Sequence, residues 1–399
     1  MSRKATPSSQ KALERTFMQR AIRLARRGTG LVSPNPLVGA VLVRNKTIIG
    51  EGWHRGPGRP HAEIEAFQNA QRRGHPLKGA TLYVTLEPCS TQGRTPPCTD
   101  SIIREQLRRV VVGAIDPNPS HASRGIDLLR QAGIQTETGL LEEEATNLNP
   151  GFNHWIVQRT PLITLKSAMT LDGKIATASG QSKWITGPRA RREVMNMRRQ
   201  HDAILVGVET VLQDNPSLTD RTGPHLDQDH PKKKLRRIIL DTRARTPVTA
   251  KVCQDAHAAL TIIAVGKDAP ADRVNRLRDH VAVWSLPTKQ GRVSLKSLMK
   301  RLGQESITSV LVEGGGTVHG AFLDARLAHR VAFFYAPKIL GGTDSRPAVG
   351  GSGWNRPEEF LRLTNIRWRK LSPDLLLTAD IADKVNEPCL PESSKKQAP

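Results

Sequence analysis

Apolar residues recur along this chain at two spacings, and the changes between them mark its elements. Over residues 11–27, Leu13, Phe17, Ala21 and Leu24 fall at steps of three and four. That is one face of an amphipathic helix, and Gly28 is placed to stop it. Val38–Val43 and Thr47–Gly50 predict a hairpin around Arg44-Asn45-Lys46. His61, behind Pro60, opens a helix that Gly74 ends. Ala80–Leu86 alternates and is rich in Val, Thr and Tyr, which predicts a strand. Cys98 starts a helix through Leu107, and Val110–Ala114 and Ile134–Thr138 read as further strands.

The polar run through Glu142-Glu143-Glu144 and Asn147–Asn153 closes a first domain, with the boundary between Pro150 and Pro161. The division drawn is 1–150, 151–384 and a polar tail, 385–399. In the second domain, strands are predicted at Leu162–Ala168, Ala203–Gly207, Arg237–Asp241, Leu260–Val265, Val281–Trp284, Ile307–Val312 and Arg330–Tyr335. Helices are predicted at Pro188–Gln200 and Leu295–Leu302, and a polar surface excursion at residues 222–236 with Lys232, Lys233 and Lys234.

Length and charge narrow the classes. At 399 residues the chain exceeds one ordinary core. No apolar run approaches the ~20 residues of a membrane span. The N-terminal segment lacks an apolar signal core, and four cysteines make no disulfide framework, so a reducing cytoplasm is expected. The net charge of +23 suits nucleic acid or a phosphorylated substrate, or is a solvated basic surface. Six Trp, two Tyr and seven Phe leave little aromatic material for base stacking.

The chemistry concentrates between His61 and Cys98. His61-Ala62-Glu63 is followed, beyond a helix and a strand, by Pro88-Cys89, and eight residues separate Cys89 from Cys98. One imidazole and two thiols are three ligands for one Zn²⁺, the number catalytic zinc takes when water keeps the fourth position. Glu63 is the natural proton carrier for that water. The alternatives are a structural zinc, for which His54 and His75 are the only nearby fourth ligands, or two buried thiols. The predicted elements aim two helix N-termini at the metal, which favours thiolate. Asn35, in a Pro-stiffened loop, either meets a heterocycle or caps an Asx-turn. Arg94 either anchors a phosphate or is a solvated loop arginine.

The second domain offers weaker signals. Trp184, isolated in a polar loop, covers a planar ligand or plugs a core. Glu313-Gly314-Gly315-Gly316-Thr317 joins a strand to a helix. Bare N–H groups there form an anion cradle, or the glycines make a tight structural turn. The order is not the Rossmann fingerprint.

Pro34–Gly39, His61-Ala62-Glu63, Thr85-Leu86-Glu87-Pro88-Cys89 and Gly93-Arg94-Thr95-Pro96-Pro97-Cys98 resemble the deaminase half of the bifunctional riboflavin-biosynthesis deaminase–reductase family. The long cysteine spacing is that family's pattern. This chain has Thr91 where the family usually has His, in a loop facing substrate. Leu165–Ile175, Gly180–Gly187, Val211–Leu218 and Val312–Thr317 look like its reductase half, so the resemblance covers roughly residues 12–382. It implies an α/β protein, a cytidine-deaminase-like α/β/α domain followed by a dihydrofolate-reductase-like domain. It implies zinc on His61, Cys89 and Cys98, with Glu63 as catalytic proton donor. By position it implies NADPH contacts at Ala168, Trp184, Thr210, Asp214, Thr242 and the turn Gly315, Gly316, Thr317, Val318, His319, Gly320, Ala321. Substrate contacts follow at Ser182, Arg198, Leu218, Arg221 and Glu313, besides Asn35 and Arg94. A guanidinium fork matches phosphate oxygens, so Arg198 and Arg221 suit a sugar phosphate.

The function expected is zinc-dependent hydrolytic deamination of a phosphoribosylated diaminopyrimidine, then NADPH-dependent reduction of its ribosyl chain. The partners expected are that small substrate and further copies of the chain through the reductase domain, with neither membrane nor nucleic acid. The rivals are a deaminase of RNA or DNA bases and a non-enzymatic basic protein with structural zinc.

Overall fold

The structure, a computed structural model, describes residues 7–93, 96–119, 121–221 and 235–382. Arg94, Lys232–Lys234 and the tail 385–399 lie outside the described residues. Two compact units form. One holds the described residues up to Pro161 with Leu302–Thr308, and the other holds the remainder from Leu162.

The first unit is a sheet with helices on both faces. Its strands are β1 (Gly39–Arg44), β2 (Thr47–Trp53), β3 (Thr81–Leu86), β4 (Arg109–Ala114) and β5 (Gln135–Thr138). Their order is β2-β1-β3-β4-β5. β1 runs antiparallel to β2 and β3, while β3, β4 and β5 are parallel. Alternation along the strands makes two cores. Leu42, Leu82, Val84, Val110 and Val112 face one way, against Ala66 and Phe67 of α2 (Ala62–Arg72), Ile102 of α3 (Cys98–Arg104) and Leu129 of α4 (Arg124–Gln131). Val41, Val43, Tyr83 and Val111 face the other way, against Phe17, Met18 and Ala21 of α1 (Pro7–Ala25). Burying each such large aliphatic side chain stabilises the fold by about 1.5–3 kcal/mol.

Two glycines let α2 lie directly on β2. A Cβ on Gly50 would come within 2.4 Å of Ala66 O, and one on Gly52 within 2.3 Å of Ala62 O. That close packing fixes the helix start carrying His61 and Glu63. α3 ends at Arg104, short of the expected Leu107, because Gln106 takes a left-handed φ of 53° and turns the chain.

The second unit is built on a nine-stranded sheet. Across it lie Ala282–Leu286, Thr261–Gly266, Arg236–Leu240, Ala203–Gly207, Ser309–Val312, Leu162–Thr170 and Arg330–Ala336, then Asp374–Ile381 and Leu363–Leu371. The first seven are mutually parallel, and the last two join antiparallel. The inner parallel strands, such as Ala203–Gly207, Thr261–Gly266 and Ser309–Val312, are apolar runs buried on both faces, while the edge strand Ala282–Leu286 leaves Ala282 and Ser285 exposed.

Pro150 is the first residue of a helix (Pro150–Gln158) in the first unit, whose described residues run to Pro161, within the expected boundary region. One feature differs from expectation. The closing hairpin, Leu363–Leu371 with Asp374–Ile381, has no counterpart in the apolar pattern. Its outer strand is exposed at six successive residues, so pairing rather than burial holds it. Among the described residues Cys89, Cys98 and Cys253 are free thiols, and no helix is long and apolar enough to cross a membrane.

Candidate functional site

In the first unit three elements deliver the predicted ligands to one point. His61 caps the N-terminus of α2, Cys89 follows β3, and Cys98 is the first residue of α3. The ligand atoms of the three lie within 4.8 Å of one another. His61 Nδ1 is 3.5 Å from Cys89 Sγ and 3.3 Å from Cys98 Sγ. Zinc bonds of about 2.3 Å to sulfur and about 2.0 Å to nitrogen, at the tetrahedral angle, put those atoms roughly 3.5 Å apart. The donor set therefore fits zinc. The group holds three residues among those described. His75 lies beyond the other end of α2, where its N–H donates to Ala70 O, so it is no fourth ligand.

The electrostatics suit metal binding. The Cys98 thiol and His61 beside it hold the Cys89 thiol down, at about 4. The Cys98 N–H also donates to Cys89 Sγ at 3.3 Å. Glu63 is buried at 3 % exposure, and burial together with the Cys89 charge raises its carboxyl to about 6. A buried carboxyl beside the ligands is equipped to hold a proton and release it.

Asn35 is not left free. Its Nδ2 donates to His54 Nε2 at 3.0 Å, so His54 Nδ1–H donates to Pro60 O at 3.1 Å. Burial lowers the His54 pKa and keeps the ring neutral. Its ring stands edge-on to His61, centroids 5.4 Å apart. The sequence marks His54 only as a nearby candidate for a fourth zinc ligand. It lies 19 positions from Asn35 across loop and hairpin, and no local spacing marks the pair. Thr91 is exposed, with its Oγ1 3.4 Å from His121 Nδ1.

In the second unit the predicted residues gather at the carboxyl ends of the parallel strands, where ligands of open α/β sheets bind. Glu313 follows Ser309–Val312, and its N–H donates to Leu205 O across the sheet. Arg198 meets it with Nε to Oε1 at 2.7 Å and Nη2 to Oε2 at 3.1 Å, and donates from Nη1 to Thr219 O at 2.9 Å. The fork expected on a phosphate is thus turned on a carboxylate. Lys166 Nζ stands 3.5 Å from Glu313 Oε2. Lys166 was not singled out from sequence; its position two residues before Ala168, on the strand facing Glu313, was the available signal.

The remaining positions divide. Trp184 is 68 % exposed, which excludes a core plug; Arg191 lies over its ring at 4.7 Å and Lys338 Nζ donates to its carbonyl. Asp214 pairs with Lys183 at 3.9 Å and shares a face of the helix Val208–Asp214 with Thr210. Leu218 is buried with φ 51°, Ser182 is half-buried and Arg221 is exposed. Thr242 accepts from Val293 N–H. In the glycine turn, a Cβ on Gly316 would lie 2.5 Å from Pro347 O, and one on Gly320 2.2 Å from Gly350 O, so these two are required by packing. On Gly315 it would meet nothing nearer than Ile175 Cδ1 at 3.9 Å. The His319 side chain is fully buried, 2.9 Å from Ala348 O and 3.3 Å from Val312 O, so it presents nothing outward.

A three-ligand metal centre with a buried glutamate, on an α/β/α sheet, defines a zinc-type hydrolytic deaminase; with the second unit the chain is an enzyme of two parts. Residues 11–114 match the cytidine and deoxycytidylate deaminase zinc-binding region, and residues 161–377 match the RibD C-terminal domain. The chain belongs to the bifunctional riboflavin-biosynthesis deaminase–reductase family. It is 42% identical over 362 residues to riboflavin biosynthesis protein RibD of Actinobacillus pleuropneumoniae, covering 90% of this chain and 93% of that one. To the protein of the same name from Escherichia coli it is 41% identical over 369 residues, 90% and 97%. Among solved structures, Acinetobacter baumannii RibD superposes with a TM-score of 0.82 at 35% identity, covering 94% of this chain and all (100%) of that one. The diaminohydroxyphosphoribosylaminopyrimidine deaminase/5-amino-6-(5-phosphoribosylamino)uracil reductase of Thermotoga maritima gives 0.79 at 37% identity, 94% and 100%. The fold is a cytidine-deaminase-like unit followed by a dihydrofolate-reductase-like unit.

Proposed function

We propose that the first unit removes the amino group of 2,5-diamino-6-(5-phosphoribosylamino)pyrimidin-4-one and that the second reduces the ribosyl chain of the product with NADPH. The observation carrying this is the triad His61, Cys89 and Cys98 with Glu63 buried beside it. Zinc held by His61, Cys89 and Cys98 would supply the Lewis acidity that makes water a nucleophile near neutral pH. Glu63 is placed to take a proton from the attacking water and pass it to the departing nitrogen. The ring carbon gains oxygen, its C–N bond breaks, and nitrogen leaves as ammonia. His54, neutral and oriented by Pro60 O, presents Asn35 to the ring edge.

For reduction, NADPH supplies the hydride and the chain supplies position. Gly315 supports that cofactor: it is open where Gly316 is closed, at the start of a helix whose bare N–H groups favour phosphate. Ala168, Trp184, Thr210, Asp214 and Thr242 are its further contacts. Lys166, Glu313 and Arg198 hold the opened sugar, with Ser182, Leu218 and Arg221 lining it. Exposed Ile366 and Trp368 on the edge strand support assembly of copies through this unit, and the free thiols support a cytoplasmic setting.

The test is one coupled assay on the purified full chain, measuring zinc content, ammonia release and NADPH oxidation on the diaminopyrimidine. Ammonia without later NADPH oxidation would refute the second step. Ammonia from an oligonucleotide, with none from the small pyrimidine, would refute the substrate.

A further inference from the structure

The loop residues Asp116 and Ser123, with Gly125 at the start of α4, are tied to the two residues that precede Cys89. Glu87 is buried, and its carboxylate accepts three backbone N–H groups. Oε2 takes Asp116 N at 3.2 Å and Ser123 N at 3.0 Å, and Oε1 takes Gly125 N at 2.9 Å. At Gly125 the loop lies so close to Pro88 that a Cβ would stand 2.2 Å from Pro88 O. Charge-assisted bonds from one carboxylate to three donors rigidify the loop against the cysteine segment.

Within that loop the chain turns over Asn118. Both His121 N and Ala122 N donate to Asn118 O at 2.9 Å. The turn lays the His121 ring on the segment after Cys89, with Nδ1 3.4 Å and Nε2 3.5 Å from Thr91 Oγ1. Thr91 stands two residues after the ligand Cys89, which puts this imidazole beside the metal-binding segment. Thr91 is exposed and His121 half-buried, so the pair is open to a ligand.

We propose that His121 and Thr91 form a substrate-binding contact at the deaminase centre, with imidazole and hydroxyl donating to one acceptor oxygen of the substrate. The contact rests on the deaminase reading above. Loosely spaced polar groups at 3.4–3.5 Å contribute little to the fold by themselves and close on an oxygen placed between them. The oxygen belongs either to the phosphate or to the ring carbonyl, and two substrates separate these.

The test uses the full-length zinc-loaded chain with His121→Ala, His121→Gln and Thr91→Val. Ammonia release is measured on the phosphorylated diaminopyrimidine and on its dephosphorylated ribosyl counterpart, with zinc content alongside. His121→Ala should raise KM about tenfold with kcat nearly constant, the scale of one hydrogen bond to a substrate oxygen. His121→Gln, which keeps a donor, should recover part of it, and zinc content should not change. A KM rise confined to the phosphorylated substrate assigns the phosphate; a rise with both assigns the carbonyl. Unchanged KM in both His121→Ala and Thr91→Val overturns the proposal, as does a KM rise that tracks zinc loss. No ammonia from the unaltered chain overturns the deaminase reading and this contact with it.

Discussion

Arg198 and Glu313 meet through two parallel hydrogen bonds, 2.7 and 3.1 Å, with both side chains 9 % exposed. Burial opposes the Glu313 charge, but Lys166 and Arg198 more than offset it and hold the carboxyl at about 2. Removing one partner of such a pair leaves the other charged and buried. Glu313→Ala should therefore destabilise the reductase unit by about 3–5 kcal/mol, and Glu313→Gln by less, read by denaturant unfolding. The folded pKa lies below the unfolded one, so the stabilisation is full above the usual carboxyl range. It fades as pH falls toward 2.

Chelation, or Cys98→Ser, should abolish ammonia release while NADPH oxidation on already deaminated substrate continues. Glu63→Gln should keep zinc and lose deamination by ~10²-fold or more, the scale of general acid–base catalysis. Metal analysis beside both rates checks this. Equal loss of the two rates after chelation would contradict the assignment of zinc to the first unit alone.

Gly315 and Gly316 are neighbours with opposite expectations. Gly315→Ala adds a methyl group into open space, so melting should barely move while NADPH affinity falls several-fold by titration. Gly316→Ala drives a methyl group against Pro347 O at 2.5 Å, so stability itself should fall, by about 1–3 kcal/mol, and melting with it. Intact NADPH affinity in Gly315→Ala would remove the cofactor from that turn.

His319 is buried and its pKa is lowered by that burial. The unfolded imidazole titrates near 6.5, so below that pH the unfolded chain binds a proton the folded unit refuses. Stability from this group is complete above pH 6.5 and declines as pH falls through the folded value. Urea unfolding of the full chain at pH 7.5 and 5.5 should show this decline, and His319→Gln should flatten it.

The metal ligands were legible in one dimension. Each sits at the edge of a strongly patterned element, and the interval from Cys89 to Cys98 is a feature of the chain itself. The helix Pro188–Gln200 and the strand Ala203–Gly207 were equally legible, because burial on one helical face or both strand faces leaves a periodic trace. The hairpin Leu363–Leu371 with Asp374–Ile381 left none. Its outer strand buries too little to alternate, and its register is set by a neighbour.

Side chains meeting across the fold divide the same way. Residue type and spacing sufficed to name His61, Glu63, Cys89 and Cys98, since the metal demands particular donors and the helix starts present them. They could not tell that His54 would orient Asn35, that Lys166 would face Glu313, that Arg198 would grip a carboxylate, or that Glu87 would carry His121 to Thr91. Those contacts join residues between 19 and 147 positions apart. No local periodicity encodes such distances; the packing of helices on a twisted sheet does.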